Sequence, residues 1–488
     1  MKRSFILVLA VFLFIGAFQT FSEDWSLLKS GDYTRITNSI VRDLDGDGID
    51  EVIISQFAKK EGKFVEIHKI ENDKIVMLDK IPAPDYAIFF DVGDLDNNGT
   101  ADILFLTSEG VYYRPLNLTA AKTHSTLKKI DYIKSEIVVT QPEILTSVDM
   151  IIDLDGDKKN ELVFANIRNI EIYKTDNFTL IDKIPINTFL EFALIPGQFY
   201  PHYIYYTLPI ILVTDIDNDN KKEIIAKFQR SINVFSCVNK SWKLKLKVDM
   251  AKDNLYFLSN SFVKFTFPII TDMDGDNIKE IVVSSANLDM PRIRFEAIGD
   301  LYFMDKGNFS INKNKQIVIK GIPINLPYFL NIGDDKYKDF IIPSIPFNLI
   351  SIFQLLSGGG EINVPFTFYE QTEERFENRK GRKLFDIPFR IENMMSFIEE
   401  LPFDQYKDGF YPDFYYFLHD KKNKTVDILY YTYVDSRSRY ISEVIKNFDI
   451  PGYRSDLPAN LKLGRFSKNQ KKDVLFIIHK TFYILKRD

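Results

Sequence analysis

The chain has 488 residues, 14% of them aromatic with 42 Phe and 25 Tyr, and a formal net charge of −6. That balance argues against a nucleic-acid partner, because phosphate binding needs basic patches, and the single cysteine, Cys237, excludes an intrachain disulfide. The wealth of Phe, Tyr, Ile and Val favours strands, and a repetitive all-β unit absorbs this length in one domain.

The N-terminus, MKRSFILVLAVFLFIGAFQTFSEDWS, places two basic residues before an apolar core from Phe5 to Ala17, then small or polar residues ahead of Glu23 and Asp24. This order describes a secretory signal peptide over residues 1–22. The apolar run is shorter than the ~20 residues of a membrane-spanning helix. The mature chain, 23–488, is therefore expected to be exported, as a periplasmic, cell-surface or secreted monomer with no transmembrane helix after cleavage. Discounting Lys2 and Arg3 takes the charge from −6 to −8.

From residue 43 a carboxylate cluster followed by an apolar run recurs: DLDGDGIDEVII (43–54), DLDNNGTADILFL (94–106), DLDGDKKNELVFA (153–165), DIDNDNKKEIIA (215–226) and DMDGDNIKEIVV (272–283). The first copy looks like an EF-hand loop, but position 12 is Ile54, the acid falls at position 9 on Glu51, and a β-branched run follows. Such a loop joins strands, not helices. Weaker echoes, NIGDDKYKDFII (331–342), HDKKNKTVDILYY (419–431) and GRFSKNQKKDVLFII (464–478), keep the ninth-position acid and the strand. The ninth-position acids Glu51, Asp102, Glu161, Glu223, Glu280, Asp339, Asp427 and Asp473 are 51, 59, 62, 57, 59, 88 and 46 residues apart. Around the fourth loop, PIILVTD ending at Asp215, EIIAKF (223–228), INVFSCV (232–238) and WKLKLKVD (242–249) read as four short strands, the content of one propeller blade. KFVEIHKI (63–70) and KIVMLDKI (74–81) complete the first unit likewise.

These loops resemble the FG-GAP or VCBS repeats of integrin alpha-subunit heads and secreted bacterial propellers, over nearly the whole mature chain. The resemblance implies an all-β, seven- or eight-bladed β-propeller in which D-x-D/N-x-D-G-x-x-D/E loops, between the first two strands of several blades, bind calcium. The chain departs from it at position 6, which is glycine only at Gly48 and Gly99; Lys158, Asn220 and Asn277 stand elsewhere. Lys tolerates left-handed backbone less well than Asn, so the third loop fits least. Position 4 is always Gly or Asn (Gly46, Asn97, Gly156, Asn218, Gly275), which suits a turn of positive φ.

Calcium takes six to eight oxygens, and alternate side chains of a curled loop can converge on it. Positions 1, 3, 5 and 9 supply side chains and position 7 a backbone carbonyl. This assigns Asp43, Asp45, Asp47, Ile49 and Glu51; Asp94, Asp96, Asn98, Thr100 and Asp102; Asp153, Asp155, Asp157, Lys159 and Glu161; Asp215, Asp217, Asp219, Lys221 and Glu223; and Asp272, Asp274, Asp276, Ile278 and Glu280. Up to five structural Ca2+ sites are expected. Clustered carboxylates repel one another without a cation, magnesium prefers few carboxylates and retained waters, and a filled coordination shell leaves little room for Lewis-acid catalysis.

WSLLKS (25–30) is expected to supply the outer strand missing from the last unit and so close the ring. The 88-residue interval implies an irregular insertion of roughly 30 residues beyond a blade's needs within 343–412, including RIENMMSFIEEL (390–401) with helical spacing. It would form a ligand lip on the face opposite the calcium loops, or simply pack on the rim. FYPHYIYY (199–206) and FYPDFYYF (410–417) suit either sugar stacking or entry to an innermost strand, the core reading being preferred. The five histidines are scattered without metal spacing, and no G-x-S-x-G, H-E-x-x-H or Walker loop occurs. The first expectation is a non-catalytic scaffold binding a protein or glycan. The rivals are a polysaccharide lyase-like enzyme on the same propeller and a structural cell-envelope component.

Overall fold

Seven of the eight acids singled out by spacing open the second strand of an antiparallel sheet, at Glu51–Ala58, Asp102–Thr107, Glu161–Ala165, Glu223–Phe228, Glu280–Asp289, Asp339–Ile345 and Asp473–Ile478. These segments are continuous β-branched and aromatic runs. Where their burial is fully described, in blades 1, 2, 3 and 6, nearly every residue is buried on both faces of the sheet. A strand covered on both sides needs no polar alternation.

In the computed structural model the described residues are 25–487 apart from 32–35, 117, 119–125, 138–142, 187–189, 195–200, 207, 229–230, 250–268, 290–293, 305–310, 324–327, 333–335, 346–361, 371–381, 390–402, 405–410, 421–424, 435–438, 450–461, 468–471 and 479–480. The signal peptide read over 1–22 and the helical spacing over 390–401 lie outside them. Among the described residues no helix is long and apolar enough to cross a membrane.

Among the described residues, eight sheets of four or more strands follow in chain order: blade 1 (36–82), blade 2 (87–130, extended by Thr146–Ser147), blade 3 (151–185), blade 4 (210–249), blade 5 (269–320), blade 6 (328–389), blade 7 (403–449) and blade 8 (462–487). The last borrows its outer strand from the other end of the chain. Trp25–Lys29 pairs antiparallel with Thr481–Arg487, Trp25 opposite Arg487 and Lys29 opposite Tyr483. WSLLKS thus closes the ring, as its position in the sequence predicts, and the described residues form eight blades.

The core lies between blades. Apolar clusters join blades 1 and 2 (Ile53, Val65, Phe90, Phe105), 2 and 3 (Leu104, Leu106, Leu162, Phe164), 3 and 4 (Val163, Ile172, Ile224, Trp242), and 4 and 5 (Ile216, Ile225, Ile281). Others join blades 6 and 7 (Phe366, Phe385, Phe414, Tyr431), 7 and 8 (Tyr415, Phe417, Phe476) and 8 and 1 (Phe482, Ile484, Val52, Ile54). Blades 5 and 6 are joined by the Lys338 N–H donating to the Met273 carbonyl at 2.9 Å.

Two readings need correction. Asp427 is not a ninth-position acid: it is the third residue of Thr425–Val434, the third strand of blade 7, whose second strand ends only at Asp420. The equivalent acid is Asp413, which opens Asp413–Asp420. The interval from Asp339 becomes 74 residues and the next 60, so the surplus over a 60-residue period halves. Within 343–412 the strands Ile362–Tyr369 and Arg382–Phe389 are described, and much of the expected insertion lies outside the described residues. Finally, the stretch containing FYPHYIYY is not an innermost strand. Pro201–Tyr206 pairs with Leu190–Leu194 in a separate hairpin, and Pro209, which lacks a backbone donor, precedes the true first strand of blade 4, Ile210–Thr214. FYPDFYYF does carry core: Phe414, Tyr415, Tyr416 and Phe417 are all buried.

Candidate metal centres

All five predicted loops sit between the first two strands of blades 1 to 5 and share one backbone path. Position 4 has positive φ in each (Gly46 76°, Asn97 58°, Gly156 77°, Asn218 58°, Gly275 71°), and so does position 6 (Gly48 83°, Gly99 83°, Lys158 69°, Asn220 66°, Asn277 69°). The third loop therefore takes the same shape as the others despite Lys158. An L-residue in this region costs about 1–2 kcal/mol, which the hydrogen bonds of the loop offset.

Those bonds repeat with little variation. The position-1 carboxylate takes the N–H of position 6 in every copy: Gly48 to Asp43 (3.0 Å), Gly99 to Asp94 (2.9 Å), Lys158 to Asp153 (3.0 Å), Asn220 to Asp215 (2.9 Å) and Asn277 to Asp272 (3.0 Å). Position 5 takes the N–H of position 7: Ile49 to Asp47, Lys159 to Asp157, Lys221 to Asp219 and Ile278 to Asp276 at 2.8 Å, and Thr100 to Asn98 at 2.7 Å. Position 9 takes the N–H of position 2: Leu44 to Glu51 (2.8 Å), Leu95 to Asp102 (2.9 Å), Leu154 to Glu161 (2.9 Å), Ile216 to Glu223 (2.8 Å) and Met273 to Glu280 (2.6 Å). The position-2 side chains are buried, so each loop is pinned to its blade by one apolar plug and one carboxylate.

The curl brings carboxylates together. Oxygens within 4.8 Å of one another come from Asp43, Asp45 and Glu51; Asp94, Asp96 and Asp102; Asp153, Asp155 and Glu161; Asp215, Asp217 and Glu223; and Asp272, Asp274 and Asp276. The remaining predicted side chains, Asp47, Asn98, Asp157, Asp219 and Glu280, hold the backbone of the same loops through the bonds above. Burial, reinforced by the neighbouring acids, raises the position-9 carboxyls: Glu51, Glu161 and Glu223 to about 7, Glu280 to about 8 and Asp102 to about 6.

Buried oxygens in four of these clusters, Glu51 Oε1, Asp102 Oδ1, Asp217 Oδ1 and Asp274 Oδ1, have no hydrogen-bond partner among the described residues. Asp102 itself is fully buried. Blade 8, which lacks the other carboxylates, gives the contrast. There Asp473 spends both oxygens on backbone donors, Phe466 N–H at 3.1 Å and Arg487 N–H at 3.0 Å. The oxygen that blade 8 satisfies with an amide has no hydrogen-bond partner in blade 2. A hard, oxygen-seeking ion fits this donor set.

The loops are also joined to one another, which the spacing alone did not reveal. The position-8 amide donates to the preceding loop: Lys222 to the Leu154 carbonyl (2.7 Å), Lys279 to the Ile216 carbonyl (2.8 Å) and Asp50 to the Arg465 carbonyl (2.8 Å). Asn160 instead bonds the Asn97 side chain (2.6 Å) and the Asp94 carbonyl (2.7 Å). A Cβ on Gly156 would collide with the Asn220 carbonyl, and one on Gly275 with that of Lys336. Glycine at these two positions therefore serves close loop-to-loop approach as well as φ.

The sheets and loops define the class: an eight-bladed β-propeller with acid-cluster loops on its first five blades. No family model and no curated protein matches the chain. Similar solved structures include the WD40 domain of SCAP from fission yeast (9% identity, TM-score 0.43, covering 95% of this chain and 98% of that one) and BBS1N in complex with ARL6DN (9%, 0.39, 94% and 94%). The exotype rhamnogalacturonan lyase YesX is another (12%, 0.37, 94% and 75%). At these values no property of those proteins is transferred to this chain, and the fold assignment rests on the sheet order itself.

Proposed function

We propose that this chain is an exported propeller of the FG-GAP/VCBS type, stapled by up to five calcium ions, that acts without catalysis by binding a protein or glycan on the face opposite its metal loops. The observation that carries the metal reading is the unpartnered Oδ1 of Asp102, a fully buried residue whose carboxyl group clusters with Asp94 and Asp96. At an effective dielectric of about 20, two charges 4.8 Å apart repel by roughly 3.5 kcal/mol, and a divalent cation turns that repulsion into attraction. A metal held by several protein oxygens supplies charge neutralisation and cross-links the two strands that flank each loop. It replaces the disulfides that a chain with one cysteine lacks.

The test is a thermal melt of the mature protein in calcium and in chelator. Melting should fall by many degrees in chelator and recover when calcium is restored; indifference to chelator refutes the metal reading. A glycan array probed with the same protein tests the binding role. Release of unsaturated sugar ends from an acidic polysaccharide would instead show an enzyme.

A further inference from the structure

The five loops are not equivalent. In the first, the ammonium of Lys69, on the third strand of blade 1 (Gly62–Glu71), lies 2.6 Å from Asp45 Oδ2, 2.8 Å from Asp47 Oδ2 and 3.5 Å from Glu51 Oε1. It stands among the oxygens that would surround a metal. Lys69 reaches them from the register position next to the Val52–His68 pair, so its stem rises directly beside Glu51. The equivalent position opposite Glu161 is Lys174, which is exposed and makes no ion pair among the described residues. In blade 4 the corresponding neighbour of Glu223 is Ser236, whose hydroxyl donates to Glu223 Oε1 at 2.8 Å.

We propose that the first loop carries its own cation: Lys69 neutralises Asp45, Asp47 and Glu51 in place of calcium, so that site 1 is the weakest of the five and fills only when the lysine is displaced. This rests on the calcium reading of the other loops. An ammonium and a divalent ion cannot share a pocket of this size, because like charges about 3 Å apart repel strongly. A lysine on a flexible four-carbon stem can leave, at the expense of three charge-assisted contacts. Loop 1 also bonds blade 8 through Asp50 and Arg465, whose N–H donates to Asp50 Oδ2 at 2.7 Å. With Lys69 in place, the loop beside the ring closure stays ordered without calcium.

Isothermal calcium titration of the mature chain compares wild type, K69M, K69R and K174M. K69M should gain one site of the tight class, or tighten the weakest site at least tenfold, while K69R and K174M keep the wild-type isotherm. K69M should also melt lower than wild type in chelator, since the acids of loop 1 are then uncompensated. Calcium isotherms identical in wild type and K69M would overturn the proposal while leaving the calcium reading intact. No calcium binding by any of the four proteins would overturn both.

Discussion

Asp102→Asn separates a metal ligand from an ordinary buried carboxylate, because its effect should change sign with calcium. In the metal-free protein the substituted asparagine can still accept the Leu95 N–H through its oxygen, replacing the 2.9 Å bond of Asp102 Oδ2. Its amide nitrogen then takes the place of the unpartnered Oδ1, on a side chain clustered with Asp94 and Asp96, and supplies a donor there. The exchange removes a charge lying within 4.8 Å of two like charges, each pair worth roughly 3.5 kcal/mol at an effective dielectric of about 20. Stability in chelator should therefore rise, by about 1–3 kcal/mol once relaxation and residual solvent are allowed for. In calcium the variant loses a carboxylate ligand. At a hundredfold excess over the dissociation constant a site contributes about 2.7 kcal/mol, most of which should vanish. Urea melts of both proteins in both conditions give the four free energies. Asp473→Asn is the control: both Asp473 oxygens accept backbone N–H groups, so the variant should lose about 1–3 kcal/mol with or without calcium. If Asp102→Asn costs the same in calcium and in chelator, the loop is a hydrogen-bonded turn and the metal reasoning fails.

The raised carboxyls give a pH signature. Their folded values, about 6 to 8, lie above the unfolded range near 4.5, so the metal-free protein should lose stability as pH rises from about 5 to 8. Calcium binds the ionised form and should abolish or reverse that slope in melts across the range. At Lys158 (φ 69°), K158G should stabilise by about 1 kcal/mol by relieving left-handed strain, whereas G156A should destabilise by more than that, since its Cβ meets both a positive φ of 77° and the Asn220 carbonyl. Arg487 is buried against the rings of Trp25, Tyr430 and Tyr415 at 4.9, 5.0 and 5.5 Å, and donates to Asp413 Oδ2 at 3.3 Å and to the Tyr415 hydroxyl. R487M should therefore cost about 3–5 kcal/mol by removing the buried charge that faces Asp413 and loosening the seam that closes the ring, read as a lower melting temperature in calcium and chelator alike.

The sequence by itself determined the repeat, most of its strands and the loop positions where acids cluster. An acid at position 9 followed by a β-branched run is a local signal, since the acid caps its own loop seven residues back and the run is buried whichever blade it enters. Position 4 was legible for the same reason: the loop needs positive φ there, and Gly or Asn supplies it. The same locality explains the failure at Asp427. HDKKNKTVD carries the composition of a loop and an acid before a strand, and only strand pairing, Asp420 opposite Thr425, shows that it runs from the second strand into the third, with Asp413 in the true position. Tertiary structure alone decided eight blades over seven, because the count depends on which strand pairs with Trp25–Lys29 at the far end of the chain. It also decided that Lys69 enters the first loop while Lys174 stays outside the third: both are lysines on third strands, and which of them meets its acids depends on side-chain path across a sheet, a distance that spacing along the chain does not encode.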